Sequence, residues 1–259
     1  MAPANEPTAG VPASGVGTPF GQDTVDEARQ IVARYPQSRS ALLPMLHLVQ
    51  SVQGHVSQAG IQFCAEQLGL STAEVEAVVT FYTMYKRTPC GAHLVSVCTN
   101  TLCAMLGGDE IYARLAEHLG EEEGKPLGQE ETAGTPGEPG SVTLEHVECL
   151  AACDLAPVLQ VDYEYYDNQS VASAIELVDA LRRGERPAPS RGAALTDFTS
   201  VERQLAGFLD GDDYTLAETN AGPSAAEETL RGARIAAGRG WTAPTMPEDA
   251  PLPTVEQKK

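Results

Sequence analysis

Four cysteines in two pairs are the residues of this chain best placed to do chemistry. Cys98-Thr-Asn-Thr-Leu-Cys103 is a C-x4-C, and Cys149-Leu-Ala-Ala-Cys153, 45 residues further on, is a C-x3-C. Thiolates are soft donors, and four of them satisfy either a tetrahedral zinc ion or a [2Fe-2S] cluster. Zinc accepts both spacings, although two intervening residues are its commoner habit. A plant-type ferredoxin also begins with C-x4-C, but there a third cysteine follows after two more residues. Here it does not, so that arrangement is excluded. The other two cysteines read differently. Cys64 lies on an apolar helical face, as a buried small hydrophobe does. Cys90 precedes the strand that ends at Cys98, which puts it at the opposite end, as a structural thiol.

The elements that must position the quartet follow from local pattern. Residues 92–98 are β-branched and partly alternating, so they read as a strand that delivers Cys98. A helix is expected over roughly 101–119, with Leu102, Ile111, Leu115 and Leu119 on one stripe and a possible break at Gly107-Gly108. Cys103 falls in its first turn, where free N–H groups and the helix dipole favour a thiolate. Residues 120–140 are acidic, then Gly/Pro-rich, and read as an exposed loop. A second strand runs from Ser141 to Glu148 and delivers Cys149; Pro157–Val161 and Tyr163–Tyr166 are a third and a fourth. Ser170 caps a last helix burying Ala174, Ile175, Leu177, Val178 and Leu181, which Gly184 ends. The order β-α-β-β-β-α is an α/β layer in which each cysteine pair follows a strand.

Residues 23–85 read as about four short helices with short loops, a helical bundle. Thr24 to Glu27 fits a capping box opening the first. The second carries Leu42, Leu43, Leu46, Val49 and Val52 and stops at Gly54. Ser57 begins the third, which Gly69 closes. Ser71 to Glu74 is a second capping box, launching Val75, Val78, Val79, Tyr82 and Tyr85 at helical spacing. His47 and His55 read as packed or solvated, not as ligands. The expected division is therefore a disordered tail over 1–20, the bundle over 21–87, the α/β domain over 88–186, and a largely disordered extension over 187–259. The extension has a weak helical candidate at 199–209 (Val201, Leu205, Phe208, Leu209) and a single tryptophan, Trp241, a candidate docking anchor.

Bulk properties narrow the class. With 36 acidic and 17 basic side chains the net charge is −19, which disfavours nucleic acid and anionic membrane surfaces as partners. No stretch approaches the roughly 18 apolar residues of a transmembrane helix. The N-terminal stretch lacks a charged n-region and an apolar h-region, so a cytosolic location is expected. In a reducing cytosol, six cysteines point to ligands or buried thiols before disulfides. No G-x-G-x-x-G follows a strand and no Walker A is present, nor is any nucleophile–base constellation suggested. The chain reads as a carrier without a complete active site. Asp154 and Glu148 stand beside ligand candidates, where bare charges would disfavour reduction of a cluster; as solvated surface they would matter little.

The C-x4-C paired with a distant C-x3-C resembles the thioredoxin-like [2Fe-2S] ferredoxin family. More closely it resembles the family of small subunits, of the E or 24 kDa type, found in NADH:quinone oxidoreductases (respiratory complex I). Cys98 to Cys103 is similar to that family's first cluster loop, and Val147-Glu-Cys-Leu-Ala-Ala-Cys153, Ala156-Pro157 and Tyr165-Tyr166 to its second loop and following strands. The family usually has glycine where Ala151 stands. In the helical block, Tyr35-Pro36, Ala41-Leu-Leu-Pro44 and Val79 to Tyr85 match as well. The resemblance spans about residues 20–185 and omits the insert near 121–140 and the C-terminal extension. It implies a thioredoxin-like domain holding one [2Fe-2S] cluster through Cys98, Cys103, Cys149 and Cys153. It also implies a partner subunit with FMN, the NADH site and a [4Fe-4S] cluster, and an adjacent large iron–sulfur subunit. The implied complex oxidises NADH and reduces quinone, which places this chain peripherally at the inner face of the cell membrane. In such a family the cluster lies near the flavin but off the main wire, with a role in briefly holding one flavin electron. The equivalent diaphorase subunit of an NAD-linked formate dehydrogenase or hydrogenase is the alternative, and a zinc-stabilised interaction module a more distant one.

Overall fold

A computed structural model describes residues 20–122, 124–191, 194–209 and 227–241. The N-terminal half begins with four helices: α1 (Gln22–Val32), α2 (Leu42–Gln53), α3 (Gln58–Leu68) and α4 (Thr72–Phe81). Their boundaries follow local chemistry. The Ser57 hydroxyl accepts from the Gly60 N–H at 3.0 Å, and Ser71 and Glu74 close a reciprocal capping box. Gly54 and Gly69 end α2 and α3 in the left-handed region. α2 and α3 approach closely because Gly60 has no side chain; a Cβ there would lie 2.4 Å from Val49 Cγ1.

Three expectations shift. α1 starts at Gln22, capped by Gly21 without a side chain, and Thr24 is buried inside it. The Glu27 carboxylate does not curl back to cap; Arg203 takes it in two bonds, at 2.6 and 3.1 Å. On α2 the buried face is centred on Met45, Leu46, Leu48 and Val49, while Leu43 and Val52 are exposed. α4 ends before Tyr82, whose backbone is extended, so Tyr85 reaches the core from a loop and donates from its hydroxyl to the Leu43 carbonyl at 3.1 Å.

The second half is a five-stranded sheet in the order β2-β3-β1-β4-β5. Its strands are β1 (His93–Cys98), β2 (Glu131–Ala133), β3 (Val142–Val147), β4 (Leu159–Val161) and β5 (Glu164–Tyr166). β1 and β3 run parallel and every other pair is antiparallel. β2 lies within the segment expected to be a loop. Three residues on a sheet edge are too few to show a period, and only the pairing with β3 makes them a strand. Helices α6 (Gly108–Leu119) and α7 (Val171–Arg182) pack on each other and on the sheet. Alternation sorts the strands: Val95, Val97, Val142, Leu144, Leu159 and Val161 join Ile111, Leu115, Val178 and Leu181 in one core. Ser96, Thr143, Glu145 and Gln160 take the intervening positions and are buried too. That polar face meets the segment leaving the helical block. Lys86, almost fully buried, donates to the Glu145 carboxylate, to Glu130 at 3.1 Å and to the Thr83 carbonyl at 2.9 Å, and Ser96 donates to Glu145 at 2.6 Å.

Beyond Gly184 the chain departs from the expected lack of structure. Residues 194–209 run back over both halves. Leu195 enters the sheet core, and Phe198, at the start of α8 (Phe198–Leu205), is fully buried against Leu94 and Cys90. α8 packs on α2. Its Glu202 is buried and receives His47 Nδ1 at 2.6 Å and the Tyr163 hydroxyl at 3.0 Å. Arg34 donates to the carbonyls of Ala206 and Gly207. Of the weak helical candidate, Val201 is buried and Phe208 partly so, whereas Leu205 and Leu209 are exposed. His47 is thus packed, and His55 is held by the Gln53 carbonyl at 2.9 Å. A last described helix, α9 (Glu227–Gly238), leads to an exposed Trp241 stacked under Arg239. Residues 1–19 of the expected tail over 1–20, and most of the remaining extension, lie outside the described residues, while Phe20 is buried and stacked on Phe63. Among the described residues no helix is long and apolar enough to cross a membrane.

Candidate metal centre

Parallel pairing decides where the four cysteines meet. In a parallel pair the C-terminal ends of both strands lie side by side, so the loops that follow them emerge together. Cys98 stands opposite Val147, two residues before Cys149, and the Thr99 N–H donates to the Val147 carbonyl at 3.2 Å. The start of β4 comes to the same end: the Cys98 N–H donates to the Val158 carbonyl at 3.1 Å. Cys98, Cys103, Ala152 and Val158 form one small buried cluster. All four candidate ligands are free thiols at one end of the sheet.

Cys90 sits at the far end of β1, as its position in the sequence requires, buried against Leu94 and Phe198. Burial pushes its thiol up to about 12, and that of Cys64 likewise to about 12. Both are protonated core thiols.

The first loop is built from regular structure. Cys98 ends a fully buried strand and Cys103 lies in α5 (Thr101–Met105), and both are almost completely inaccessible. Burial pushes the Cys103 thiol up to about 11; the Val158 backbone opposes this, and the Cys98 and Cys153 thiols add to it. The expected long helix divides here into α5 and α6. Gly107 takes a φ of 109°, and a Cβ on Gly108 would sit 2.5 Å from the Cys98 carbonyl oxygen and 2.9 Å from that of Cys103. The division changes the helical phase, so Leu102 leaves the predicted stripe. It stands exposed with Met105 and Leu106 beside the cysteines.

The second loop is open, and within it only the single 3-10 turn Cys153–Leu155 is regular. Cys149 and Cys153 are exposed, with their sulfurs 3.5 Å apart. That is far beyond a disulfide of about 2.05 Å. It is close to the roughly 3.8 Å between thiolates that share a tetrahedral metal at about 2.3 Å. The Cys153 thiol is raised first by its hydrogen bond with Cys149, then by burial and by the charges of Cys149 and Cys98. Ala151 adopts a φ of 57°, a region that favours the glycine usual at this place, and its N–H points to Cys149 Sγ at 3.4 Å. Side chains from elsewhere hold the loop. The Tyr165 hydroxyl donates to the Leu150 carbonyl at 3.0 Å, and Asn100 Nδ2 donates to Glu148 at 2.7 Å, which ties the two loops together. Arg191 lies 3.5 Å from Asp154. Glu148 and Asp154 are both exposed, as the solvated reading expects, but neither is bare, since each has a partner. Arg191 itself had no local signal, since it lies in a Pro/Ala/Gly-rich stretch.

The donor set suits a two-iron cluster. Among the described residues no group of three or more His, Cys, Asp or Glu side chains is already drawn together around a metal position, so the fit rests on the identity and pairing of the four thiols. Four thiolates in two pairs match the two-and-two division of a [2Fe-2S] centre. N–H groups aimed at the sulfurs of Cys149 and Cys103 supply hydrogen bonds of the kind that tune such centres.

Sheet, helices and cysteine loops together define a class. Residues 28–182 match the thioredoxin-like [2Fe-2S] ferredoxin family, and the chain belongs to that family. It is 50% identical over 221 residues to the E subunit of the NADH-quinone oxidoreductase of Mycobacterium tuberculosis (strain ATCC 25618 / H37Rv), covering 85% of this chain and 82% of that one. The E 2 subunit of the NADH-quinone oxidoreductase of Rhizobium meliloti (strain 1021) is 33% identical over 181 residues, covering 70% of this chain and 95% of that one. Among solved structures, a chain of an NAD+-reducing [NiFe]-hydrogenase in the air-oxidized state is similar at a TM-score of 0.46 and 14% identity, over 55% of this chain and 23% of that one.

Proposed function

We propose that this chain is the electron-transfer subunit of an NADH:quinone oxidoreductase, and that Cys98, Cys103, Cys149 and Cys153 hold its [2Fe-2S] cluster. The observation that supports the ligand set is the parallel β1/β3 register, which sends both cysteine pairs out of one sheet end. Bound there, the cluster supplies one-electron uptake and release. The protein's part is to bind, shield and tune. Cys98 and Cys103 hold one side in the interior, where water is excluded. Cys149 and Cys153 hold the other at the surface, where an electron can enter or leave. The N–H groups of Ala151 and Val158 stabilise negative charge on sulfur.

The exchange partner in this reading is the FMN of a larger subunit that also binds NADH, with the large iron–sulfur subunit adjacent. The assembled complex would carry the chain at the inner face of the cell membrane. Anaerobic purification with EPR spectroscopy and metal analysis tests the ligand set: the expected result is a [2Fe-2S] signal and two irons per chain. A colourless protein with one zinc would sink the redox reading. Co-purification of the chain from its own cells tests the assembly. Capture of membrane-embedded subunits supports the quinone-reducing complex, and capture of a soluble formate dehydrogenase or hydrogenase supports the alternative.

A further inference from the structure

The matched family region ends at residue 182, yet the segment just beyond it returns to the second cysteine loop. Ser190 N–H donates to the Tyr165 carbonyl at 2.8 Å, Asp167 N–H donates to the Ser190 hydroxyl at 2.8 Å, and Arg191 forms a β-bridge with Tyr165. That backbone docking fixes the Arg191 side chain, which is largely buried. Its guanidinium makes a two-pronged pair with Asp167, at 2.6 and 2.9 Å, and the same Nη2 reaches Asp154 at 3.5 Å. The planar fork also lies over the Tyr165 ring, 5.3 Å from its centroid. Tyr165 in turn donates to the Leu150 carbonyl. One arginine therefore braces both sides of the turn that carries Cys149 and Cys153: Leu150 through Tyr165, and Asp154, next to Cys153, directly.

We propose that Arg191 is a positioning residue for the [2Fe-2S] cluster: it latches the second cysteine loop and offsets the charge of Asp167 and, through a longer contact, that of Asp154 beside Cys153. This rests on the ligand set proposed above. Reduction adds negative charge at the sulfurs, so the electrostatic sign is fixed. Losing Arg191 uncovers Asp154 and makes the cluster harder to reduce. Losing Asp154 makes it easier. Lysine keeps the charge but not the fork, so it preserves the potential better than the hold on the loop.

The test is an EPR-monitored redox titration of the full-length chain with its cluster, in wild type, Arg191→Gln, Arg191→Lys, Asp154→Asn and the Arg191→Gln/Asp154→Asn double variant. Iron release to a chelator is timed in parallel. Arg191→Gln is expected to lower the midpoint so that the oxidised-to-reduced ratio at a fixed poise rises roughly three- to tenfold, about 30–60 mV at 59 mV per decade. Asp154→Asn is expected to shift it the other way, and the double variant to return near wild type. Arg191→Lys is expected to hold the potential but release iron faster. Asp154→Asn leaves the Asp167 pair intact, so it reads the charge effect even if Arg191→Gln folds poorly. A cluster-bearing Asp154→Asn chain with unchanged potential would overturn the proposal. A wild-type chain without the [2Fe-2S] signal overturns the ligand assignment, and this inference with it.

Discussion

The two cysteine loops proposed to share one cluster are built in opposite ways. Cys98 and Cys103 are buried, one at the end of a central strand and one in a short helix, and backbone hydrogen bonds hold them. Cys149 and Cys153 are exposed on a largely irregular turn that the side chains of Tyr165, Asn100 and Arg191 brace. The first loop draws its stiffness from backbone pairing, of β1 with β3 and β4 and within the short α5. The second draws it from groups distant in sequence, as with Asn100 and Glu148 at a separation of 48. A centre that must both exclude water and pass electrons is served by one closed side and one open side.

Cysteine replacement should separate the two loops most widely. Cys98→Ser or Cys103→Ser is expected to abolish cluster assembly, because both positions are buried and water cannot make up for the weaker serine ligand there. Cys149→Ser or Cys153→Ser is expected to leave a fraction with an altered signal, because solvent or the serine oxygen reaches the open side. Cys90→Ser is expected to change nothing. Iron content and EPR spectra of the five variants measure this, and equal loss from both loops would erase the distinction.

A smaller effect is expected from Gly108→Ala. Its new methyl would collide with backbone carbonyls of both first-loop cysteines, so a loss of about 1–3 kcal/mol is expected in a denaturant titration, as for other overpacked sites. In the second loop the corresponding change has the opposite sign. Ala151→Gly relieves a left-handed alanine and is expected to gain about 0.5–1 kcal/mol, after allowing for the added freedom of glycine in the unfolded chain. Stabilisation by Gly108→Ala, or destabilisation by Ala151→Gly, would contradict the contrast between them.

The smallest effect lies outside both loops. Its hydrogen bond from Arg39, with those from Ser71, holds the exposed Glu74 carboxyl at about 2, below its ordinary 4.5. A lowered carboxyl contributes stability above its unfolded value and loses it as pH falls through the folded one. Glu74→Gln is expected to flatten acid destabilisation between about pH 4.5 and 2 and to leave the neutral-pH cluster spectrum of both loops untouched. A thermal-melt series across that range would show it.

The same contrast explains what the sequence made legible. The first loop could be read residue by residue, because β1, the start of α5 and the glycine break are local patterns. So could the capping of α3, α4 and α7 by Ser57, Ser71 and Ser170. The common destination of the two loops was readable only as an expectation, since strand order is not a local property. What holds the second loop left no local trace: Arg191 stands in a stretch whose composition suggests disorder. α8 was half visible. Val201 sat at helical spacing, but the residues that anchor the helix, Phe198 and Glu202, are defined by partners distant in sequence, among them Leu94 and His47. Glu202 looks like surface charge until His47 and Tyr163 enclose it.

The return of α8 to the helical block has a consequence for the order of events on the ribosome. Ala206 and Phe208 complete the core that α1 to α4 begin, and Arg34 is tied to the carbonyls of Ala206 and Gly207. Translation adds roughly 5–20 residues per second, so the first-made quarter of the protein waits on the order of ten seconds for its last packing partner. Both cysteine loops leave the ribosome within that interval, before the segment that fastens the two halves together. The nascent chain therefore passes through a period when every thiol has been made and the molecule is still unfastened, and limited proteolysis of chains arrested short of Phe198 would reveal that open intermediate.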